Sequence, residues 1–369
     1  YENLRALDLP RFLSTLGNAD FYGSYICVAL AAAVGLFIRA EKKRARILSA
    51  LALAAISFGA LVAGSDSTAL GLVAAALLFP LMLFSDARAL RRFMLATGVF
   101  SLCALGFGLL SGMLPSTTYL SAFETLLMHP AVSGALCAAF ALLWLLLHKT
   151  VPERLKSLLK PYLILLASAA LLGTIALVLL NTVLSQIPLG GAERYLRFSE
   201  SWGTDRGKIW LFAIRLYRSY SPAQMLFGAG PSALFQADTT ARVFSDAALD
   251  TAHNEYLQYL LVSGAAGLLA YLAALGFAVY AGIRKCAKAP AYRGLLLALI
   301  AYAVQATVNI AQPVSTPLLF LLIGVLISIP PTQKDVPTEC ADCLSLFLAK
   351  VFRRDDCHFN VLITISGSA

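Results

Sequence analysis

The stretch YICVALAAAVGLFIRAEKKRARILSALALAAISFGAL (residues 25–61) places two apolar runs on either side of a short basic connection, RAEKKRAR (39–46). Each run approaches the ~20 residues that an α-helix needs to cross a hydrocarbon core about 30 Å thick. Short cytoplasmic connections of membrane proteins are enriched in Lys and Arg. The stretch therefore predicts two transmembrane helices joined on the cytoplasmic side.

The same pattern recurs along nearly the whole chain of 369 residues, which is 59% hydrophobic and 13% charged. A soluble domain carries roughly a quarter charged residues, so the composition indicates a membrane protein. We predict an all-α polytopic fold with nine spans, at 18–38, 47–63, 69–84, 93–114, 126–147, 161–184, 256–281, 294–312 and 316–329. The net charge of +9 lies mainly between spans rather than on an arm or face with interleaved aromatics, so nucleic-acid binding is not expected.

The connections between spans alternate in charge. Four are basic, 39–46, 85–92, 148–160 and 282–293, whereas the connections between them, 64–68, 115–124 and 312–317, contain no Lys or Arg. The positive-inside rule then puts residues 1–17 and the long connection 185–255 outside, and the tail 330–369 in the cytoplasm. The membrane segments are 18–184 and 256–329. Because the chain starts at Tyr1 without a methionine or a signal peptide, we expect the natural N-terminus to be missing. If the complete protein starts in the cytoplasm, an odd number of spans precedes this chain, and three to five more would bring the total to about twelve.

The long connection has an unusual basic load for an extracytoplasmic segment. These arginines either form a solvated surface balanced by carboxylates, or bind an anionic group, since Arg binds phosphate oxygens bidentately. RGKIWLFAIRLYRSY (206–220) reads as an amphipathic helix on the membrane surface or on the mouth of the bundle. The basic residues of the connection to which these two readings apply are Arg194, Arg197, Arg206, Lys208, Arg215, Arg218 and Arg242.

Polar residues at membrane depth are few. Gln305, Asn309 and Gln312 fall at helical spacing, and either join helices by hydrogen bonds or line a cavity. The seven cysteines give no disulfide framework. Cys340, Cys343, Cys357 and His358 in the tail have only a weak resemblance to a zinc site, because the last two are adjacent. We therefore assign no metal site and no cofactor.

His253 lies where the long connection re-enters the membrane, with Thr251 as the expected helix cap. An interfacial histidine is commonly inert. A neutral imidazole can also accept the proton of an attacking sugar hydroxyl near neutral pH, while arginines stabilise a diphosphate leaving group. No DxD or HxH pair is present in the outer segments to bind a metal. One base, several arginines and a membrane face suggest sugar transfer from a lipid diphosphate.

Three segments together resemble the O-antigen ligase and O-antigen polymerase superfamily. HNEYLQYLLVSGAAGLLAYL (253–272) is similar to its His-Asn-x-Tyr/Phe-Leu…Gly-x-x-Gly signature, and DRGKIW (205–210) with LFGAGP (226–231) to its Arg-x-x-x-Trp…Gly-x-Gly element. RFLSTLGNADFYGSYI (11–26) resembles its Arg…Gly-Asn-x-Asn segment, although Asp20 replaces the second Asn. GSDST (64–68) lacks the arginine of the family's Ser-Arg step.

The resemblance implies an inverting, metal-independent glycosyltransferase. Such enzymes move a glycan from undecaprenyl diphosphate to a glycan, lipid or protein acceptor at the outer face of the bacterial plasma membrane, within cell-surface polysaccharide biosynthesis. His253 is then the expected general base, with Asn254 or Glu255 orienting it, and Arg206 the main diphosphate contact. The remaining expected donor- or glycan-binding residues are Arg11, Asn18, Arg194, Arg197, Arg215, Gly228, Gly230, Asn254 and Tyr256.

Ligation and repeat-unit polymerisation share these motifs, so the sequence leaves both open. A polysaccharide flippase is a rival from another class, but it would carry polar residues across many spans and no motif-bearing outer connection. A non-catalytic assembly partner that kept the fold is a third alternative. It would tolerate exchange of His253 and the arginines.

Overall fold

Helices make up all the regular structure in the part of the chain that the computed structural model describes, residues 16–110, 121–150, 152–244 and 249–328. The α-helices are α1 (Ala19–Arg39), α2 (Lys43–Leu61), α3 (Asp66–Leu78), α4 (Ala87–Leu110), α5 (Ala122–Met128), α6 (Pro130–Lys149), α7 (Pro152–Ser157), α8 (Leu159–Asn181), α9 (Glu193–Leu196), α10 (Trp202–Arg218), α11 (Pro222–Phe227), α12 (Ala233–Ala241), α13 (Glu255–Lys288), α14 (Arg293–Gln305) and α15 (Thr316–Ser328). Short 3-10 turns occupy Phe79–Met82, Gly190–Ala192, Pro290–Tyr292 and Ala306–Val308. The predicted all-α class is confirmed over these residues.

Seven of the helical segments are long and apolar enough to cross a membrane: α1, α2, α4, α6, Glu153–Asn181, α13 and Pro290–Val308. Two further apolar segments, Asp66–Met82 and Thr316–Ile327, are shorter. Each of the nine predicted spans overlaps one of these segments of the described chain, with ends that differ by several residues, and two of the segments are shorter than a full span. In the first of them Pro80 follows the end of α3, and the chain continues as a 3-10 turn because proline lacks a backbone donor. The chain is a multi-pass membrane protein.

The four basic connections meet at one end of the bundle. Arg92 Nη1 donates to the Ile38 carbonyl at 2.7 Å, Arg91 Nη1 to the Leu147 carbonyl at 3.4 Å, and Arg293 pairs with Asp86 at 2.7 Å. Ile38 and Leu147 directly precede the connections 39–46 and 148–160, and Arg293 and Asp86 belong to the other two, so the four basic connections lie at the same end, as predicted. We call this the basic end, and the opposite end, where α13 begins, the His253 end.

Helix α1 forms the centre of the bundle and packs against α2, α3, α4 and α14. At its contact with α14, Gly35 faces Gly294 so closely that a Cβ on Gly294 would lie 2.8 Å from the Gly35 Cα. Small residues allow this approach, as in many membrane helix pairs. Helix α8 has no buried residue, and its Leu171 and Leu172 are more than half exposed, as expected for a lipid-facing helix.

Two predicted helices are interrupted at the His253 end. Helix α13 breaks at Gly264, where φ is 68° and ψ −171°, so an unbroken helix over 256–281 is wrong at this point. That backbone region is essentially restricted to glycine. Helix α14 ends at Gln305, and Asn309 is extended with φ −140° and ψ 178°. The helical spacing expected for Gln305, Asn309 and Gln312, which we call the polar stripe, is therefore also wrong.

The long connection folds into helices α9–α12 with a small core of its own. That core consists of Ile209, Ala213, Tyr220, Leu234, Leu249, Ala252 and Leu261, the last from α13. The helix predicted over 206–220 is confirmed over 206–218, as part of α10. It packs its apolar side on this core, at the mouth of the bundle, and so holds the connection against the start of α13.

Candidate functional site

His253 occupies a fixed, strained position immediately before α13. Its φ is +47°, in the left-handed region that non-glycine residues seldom adopt. The preceding residue is held from both sides, since the Trp210 indole donates to the Ala252 carbonyl at 3.0 Å and the Ala252 amide donates to Gln258 Oε1 at 2.9 Å. Such strain persists only where the surroundings impose it, and it is often found at functional sites.

The surroundings of His253 favour a neutral imidazole. Burial lowers its pKa below the usual value, and the positive charge of Arg206 lowers the pKa further, against the opposing charges of Asp20 and Asp250. None of the described residues hydrogen-bonds to the ring. The side chain remains partly exposed. A neutral, unengaged ring nitrogen is what a general base requires near pH 7.

Arg206 reaches the same place from α10. Its Nη2 lies 3.7 Å from Asp20 Oδ2 at the start of α1, and its Nη1 donates to the Gly203 carbonyl at 3.2 Å. The buried Nε has no partner among the described residues. The ion pair therefore joins the two helices beside His253 and leaves donor capacity on the guanidinium.

Asn18 and Asp20 form the beginning of α1. Asn18 Oδ1 accepts hydrogen bonds from the amides of Asp20 at 2.8 Å and Phe21 at 3.2 Å, so its amide oxygen is the helix cap. Asp20 Oδ1 accepts from the Ser65 hydroxyl at 2.8 Å. Through Ser65, the GSDST connection fixes the carboxylate that Arg206 meets.

The polar stripe belongs to a buried hydrogen-bond network behind Asp20. Asn309 Nδ2 lies 2.9 Å from Ser24 Oγ and 3.0 Å from Ser67 Oγ, and Gln305 accepts from both Ser24 and Asn309. Gln312 donates to the Asp20 carbonyl at 3.2 Å. Gln305, Asn309 and Gln312 are buried, which confirms the interpretation that they join helices. The network fixes the start of α1 under the site.

The turn formed by Gly228, Ala229 and Gly230 packs against α13 next to its break. The amides of Ala229 and Gly230 donate to the Leu261 and Val262 carbonyls at 3.0 and 3.1 Å, just before the break of α13 at Gly264. A Cβ on Gly228 would overlap the Val262 backbone. Of the two glycines expected to bind a ligand, Gly228 is thus used for close backbone packing, and Gly230 donates its amide to the helix.

The residues that follow His253 face the bundle. Asn254, not the expected Thr251, caps α13, with Oδ1 accepting from the Leu257 amide at 3.0 Å. Glu255 is buried and accepts hydrogen bonds from the Tyr271 and Tyr302 hydroxyls at 2.7 and 3.0 Å. Neither Asn254 nor Glu255 hydrogen-bonds to His253, so the expectation that one of them orients the imidazole is wrong.

Three of the other predicted residues, Arg197, Arg215 and Tyr256, have hydrogen-bond partners of their own. Arg197 donates to the Ile187 carbonyl at 2.8 Å and pairs with Glu193 at 3.4 Å, and Arg215 is exposed and donates to the Leu211 carbonyl. The Tyr256 hydroxyl donates to the Ala303 carbonyl at 2.6 Å, inside the bundle. Arg194 lies in α9. Arg11 and the tail residues Cys340, Cys343, Cys357 and His358 lie outside the described residues.

Asp238 organises the loop before His253, and sequence reasoning missed it. The buried carboxylate accepts from the amides of Val243, Phe244 and Leu249 at 3.2, 3.1 and 2.8 Å. It therefore ties Val243, Phe244 and Leu249 to α12. An isolated Asp within a polar stretch gives no sequence signal for this role, because its partners follow it at irregular spacing.

The arrangement combines an imidazole whose lowered pKa favours its neutral form with a partly unsatisfied guanidinium at one mouth of a membrane bundle. Residues 125–272, which run from α5 to α13, match the family model described as O-antigen ligase. The match includes Arg206, Gly228 and His253. Comparison with curated proteins and with solved structures gave no match.

Proposed function

We propose, from the match of residues 125–272 to the O-antigen ligase family model, that the protein transfers a glycan from undecaprenyl diphosphate to an acceptor hydroxyl. Transfer takes place at the outer face of a bacterial plasma membrane, where the His253 end lies. The basic connections at the opposite end support this orientation, since such connections are retained in the cytoplasm. The long connection 185–255 is then the catalytic segment.

The observation that carries the proposal is the position of Arg206 beside a neutral His253. The acceptor hydroxyl attacks the anomeric carbon, and the imidazole of His253 accepts the hydroxyl proton as the new C–O bond forms. The bond between the anomeric carbon and the diphosphate breaks, and the electron pair stays on the diphosphate. Arg206 stabilises that developing charge, which gives an inverting, metal-independent reaction. The imidazolium then releases its proton to water.

Asp20 holds Arg206 in place until the donor binds. Before the donor binds, its carboxylate pairs with Arg206 and keeps the guanidinium next to His253. A diphosphate offers more negative charge and a bidentate geometry, so it displaces the carboxylate as the main partner of Arg206. The exposed arginine Arg215 contributes at most to long-range attraction of the donor, because screening by salt is strong at exposed sites.

Complementation of a deletion strain tests the proposal. The full-length gene is returned as the native form, as His253→Ala, or as His148→Ala, a control in which an exposed histidine of α6 is removed. We expect the native and His148→Ala forms to restore the surface glycan and His253→Ala to fail at equal expression. Full restoration by His253→Ala would overturn the assignment of the base.

The glycan that accumulates in the His253→Ala strain identifies the reaction. Long chains stranded on the lipid carrier indicate a ligase, whose acceptor is a lipid-core sugar, a wall polymer or a protein hydroxyl. Single repeat units on the carrier indicate a polymerase, whose acceptor is another carrier-linked unit. Gel separation of the carrier-linked and surface pools distinguishes the two.

A further inference from the structure

Three aromatic side chains, Phe198, Trp202 and Trp210, form a cluster next to Arg206 that we call the aromatic platform. The ring centroids of Trp202 and Trp210 are 5.1 Å apart, and Phe198 lies 5.9 Å from Trp202 and 6.4 Å from Trp210. Phe198 is 43% exposed, and both indoles are partly exposed. The catalytic steps proposed above do not use these rings.

The backbone is bent to build the platform. Gly203 and Asp205 have φ values of 61° and 66°, and both lie in the chain between Trp202 and Trp210, whose rings are tilted against each other by 51°. For Asp205 this conformation is unfavourable, so the surrounding structure must impose it. Arg206 donates to the Gly203 carbonyl, which follows Trp202 directly. The bend therefore sets the platform beside the guanidinium.

The other edge of the platform is fixed to the membrane bundle. Asn181, at the end of α8, accepts from the Phe198 amide at 2.6 Å and donates to the Leu196 carbonyl at 2.8 Å. Arg197 adds hydrogen bonds to the carbonyls of Ser185 and Ile187. Arg197 thus holds the segment that presents Phe198, a different role from the anion binding expected for it.

The indole edges distinguish the platform from an interfacial anchor. Tryptophans of a membrane belt direct their polar edge toward water and headgroups. Here Trp202 Nε1 donates to the Tyr195 carbonyl and Trp210 Nε1 to the Ala252 carbonyl, both at 3.0 Å. Each indole N–H is satisfied inside the protein, and what the rings offer to a ligand is their apolar faces.

We propose that the aromatic platform binds the sugar ring attached to the diphosphate of the donor. This inference rests on the proposed function. An aromatic face carries negative charge, and the C–H groups on one side of a pyranose ring carry the complementary positive charge, so the two surfaces stack. With the diphosphate on Arg206, the adjoining sugar lies over the neighbouring rings. The platform selects the donor sugar while the guanidinium recognises the diphosphate that all donors share.

Equilibrium binding to the full-length protein in nanodiscs tests the platform with two labelled probes, undecaprenyl diphosphate carrying the glycan and undecaprenyl diphosphate without sugar. Phe198→Leu should weaken binding of the glycan-bearing probe about five- to tenfold and leave the sugarless probe unchanged. Phe198→Tyr keeps the ring and should bind both as the native protein does. Phe235→Leu is the matched control, since Phe235 is 45% exposed and lies outside the platform.

Each outcome decides a separate point. Equal affinity of the native protein for both probes, or an equal loss in Phe235→Leu, would overturn the sugar platform while the proposed transfer stands. Equal weakening of both probes by Phe198→Leu would make the platform a bilayer anchor instead. Failure of the native protein to bind either probe would contradict the proposed function itself, and binding to a His253→Ala protein separates recognition from catalysis.

Discussion

Substitution of Gly264 by alanine should detach the long connection from α13. A Cβ at this position would overlap the Leu226 carbonyl and lie 2.5 Å from the Gly228 amide nitrogen. The conformation of Gly264, with φ 68° and ψ −171°, also costs of order 1–3 kcal/mol for a residue with a side chain. Both effects act on backbone atoms, which cannot move aside as a flexible side chain would.

The expected loss of stability can be estimated from the hydrogen bonds that the clash would break. Displacing α11 breaks the hydrogen bonds from Ala229 and Gly230 to the carbonyls of α13, each contributing about 0.5–1.5 kcal/mol. Together with the strained backbone, we expect a loss of about 2–6 kcal/mol in the free energy of unfolding. Gly228→Ala should have a similar effect, and the double substitution should cost less than the sum, because both act on one contact.

Gly276→Ala is the matched control within the same helix. Its Cβ would meet no atom within 4 Å, so alanine should stabilise α13 by about 0.5–1 kcal/mol. Denaturant titration in mixed micelles measures the free energies, and limited proteolysis of the connection reports its detachment. If Gly264→Ala unfolds at the same denaturant concentration as Gly276→Ala, the close contact of Gly264 with the backbone of Leu226 and Gly228 does not hold the connection.

Three further substitutions probe the surroundings of the site. Trp210→Phe keeps an aromatic ring but removes the hydrogen bond to the Ala252 carbonyl, so transfer kinetics should show a fall in kcat of about tenfold with little change in donor affinity. Asp20→Asn removes a charge that raises the pKa of His253; the pKa therefore falls, and the acid limb of the pH–rate profile should move to lower pH. Asn254→Ala should lower stability by about 1 kcal/mol, measured by denaturant titration, while Asn254→Ser should restore most of it, because serine also caps helices.

The positions of the helices could be predicted because they depend on local sequence. Apolar runs and the charge of the short connections are enough to place the spans and to bring Arg92 and Arg293 to one end. The interruptions could not be predicted in this way. The break at Gly264 depends on amides supplied by residues 229 and 230, and a continuous apolar pattern gives no sign of a partner so far away.

For the candidate site, the sequence provides the chemistry but not the partners. A lone histidine before a span drew attention to His253, whereas only the resemblance to the family's Arg-x-x-x-Trp element separated Arg206 from the other arginines of the connection. Asp20 was visible only as a departure from the family pattern, whereas the structure pairs it with Arg206. Arg197 and Arg206 look alike in sequence, yet local carbonyls occupy Arg197, because its position relative to α8 depends on the tertiary fold.

The central claim is that His253 and Arg206 act together on the donor, and transfer by purified protein in nanodiscs tests it most directly. The native protein, His253→Ala, Arg206→Gln and Arg218→Gln are compared with a carrier-linked glycan donor; Arg218 is an exposed arginine of the same helix. We predict that His253→Ala lowers kcat about 10²–10⁴-fold with donor binding retained. Arg206→Gln should weaken both binding and turnover, and Arg218→Gln should resemble the native protein. Native turnover by His253→Ala, or an equal loss in Arg206→Gln and Arg218→Gln, would contradict the account.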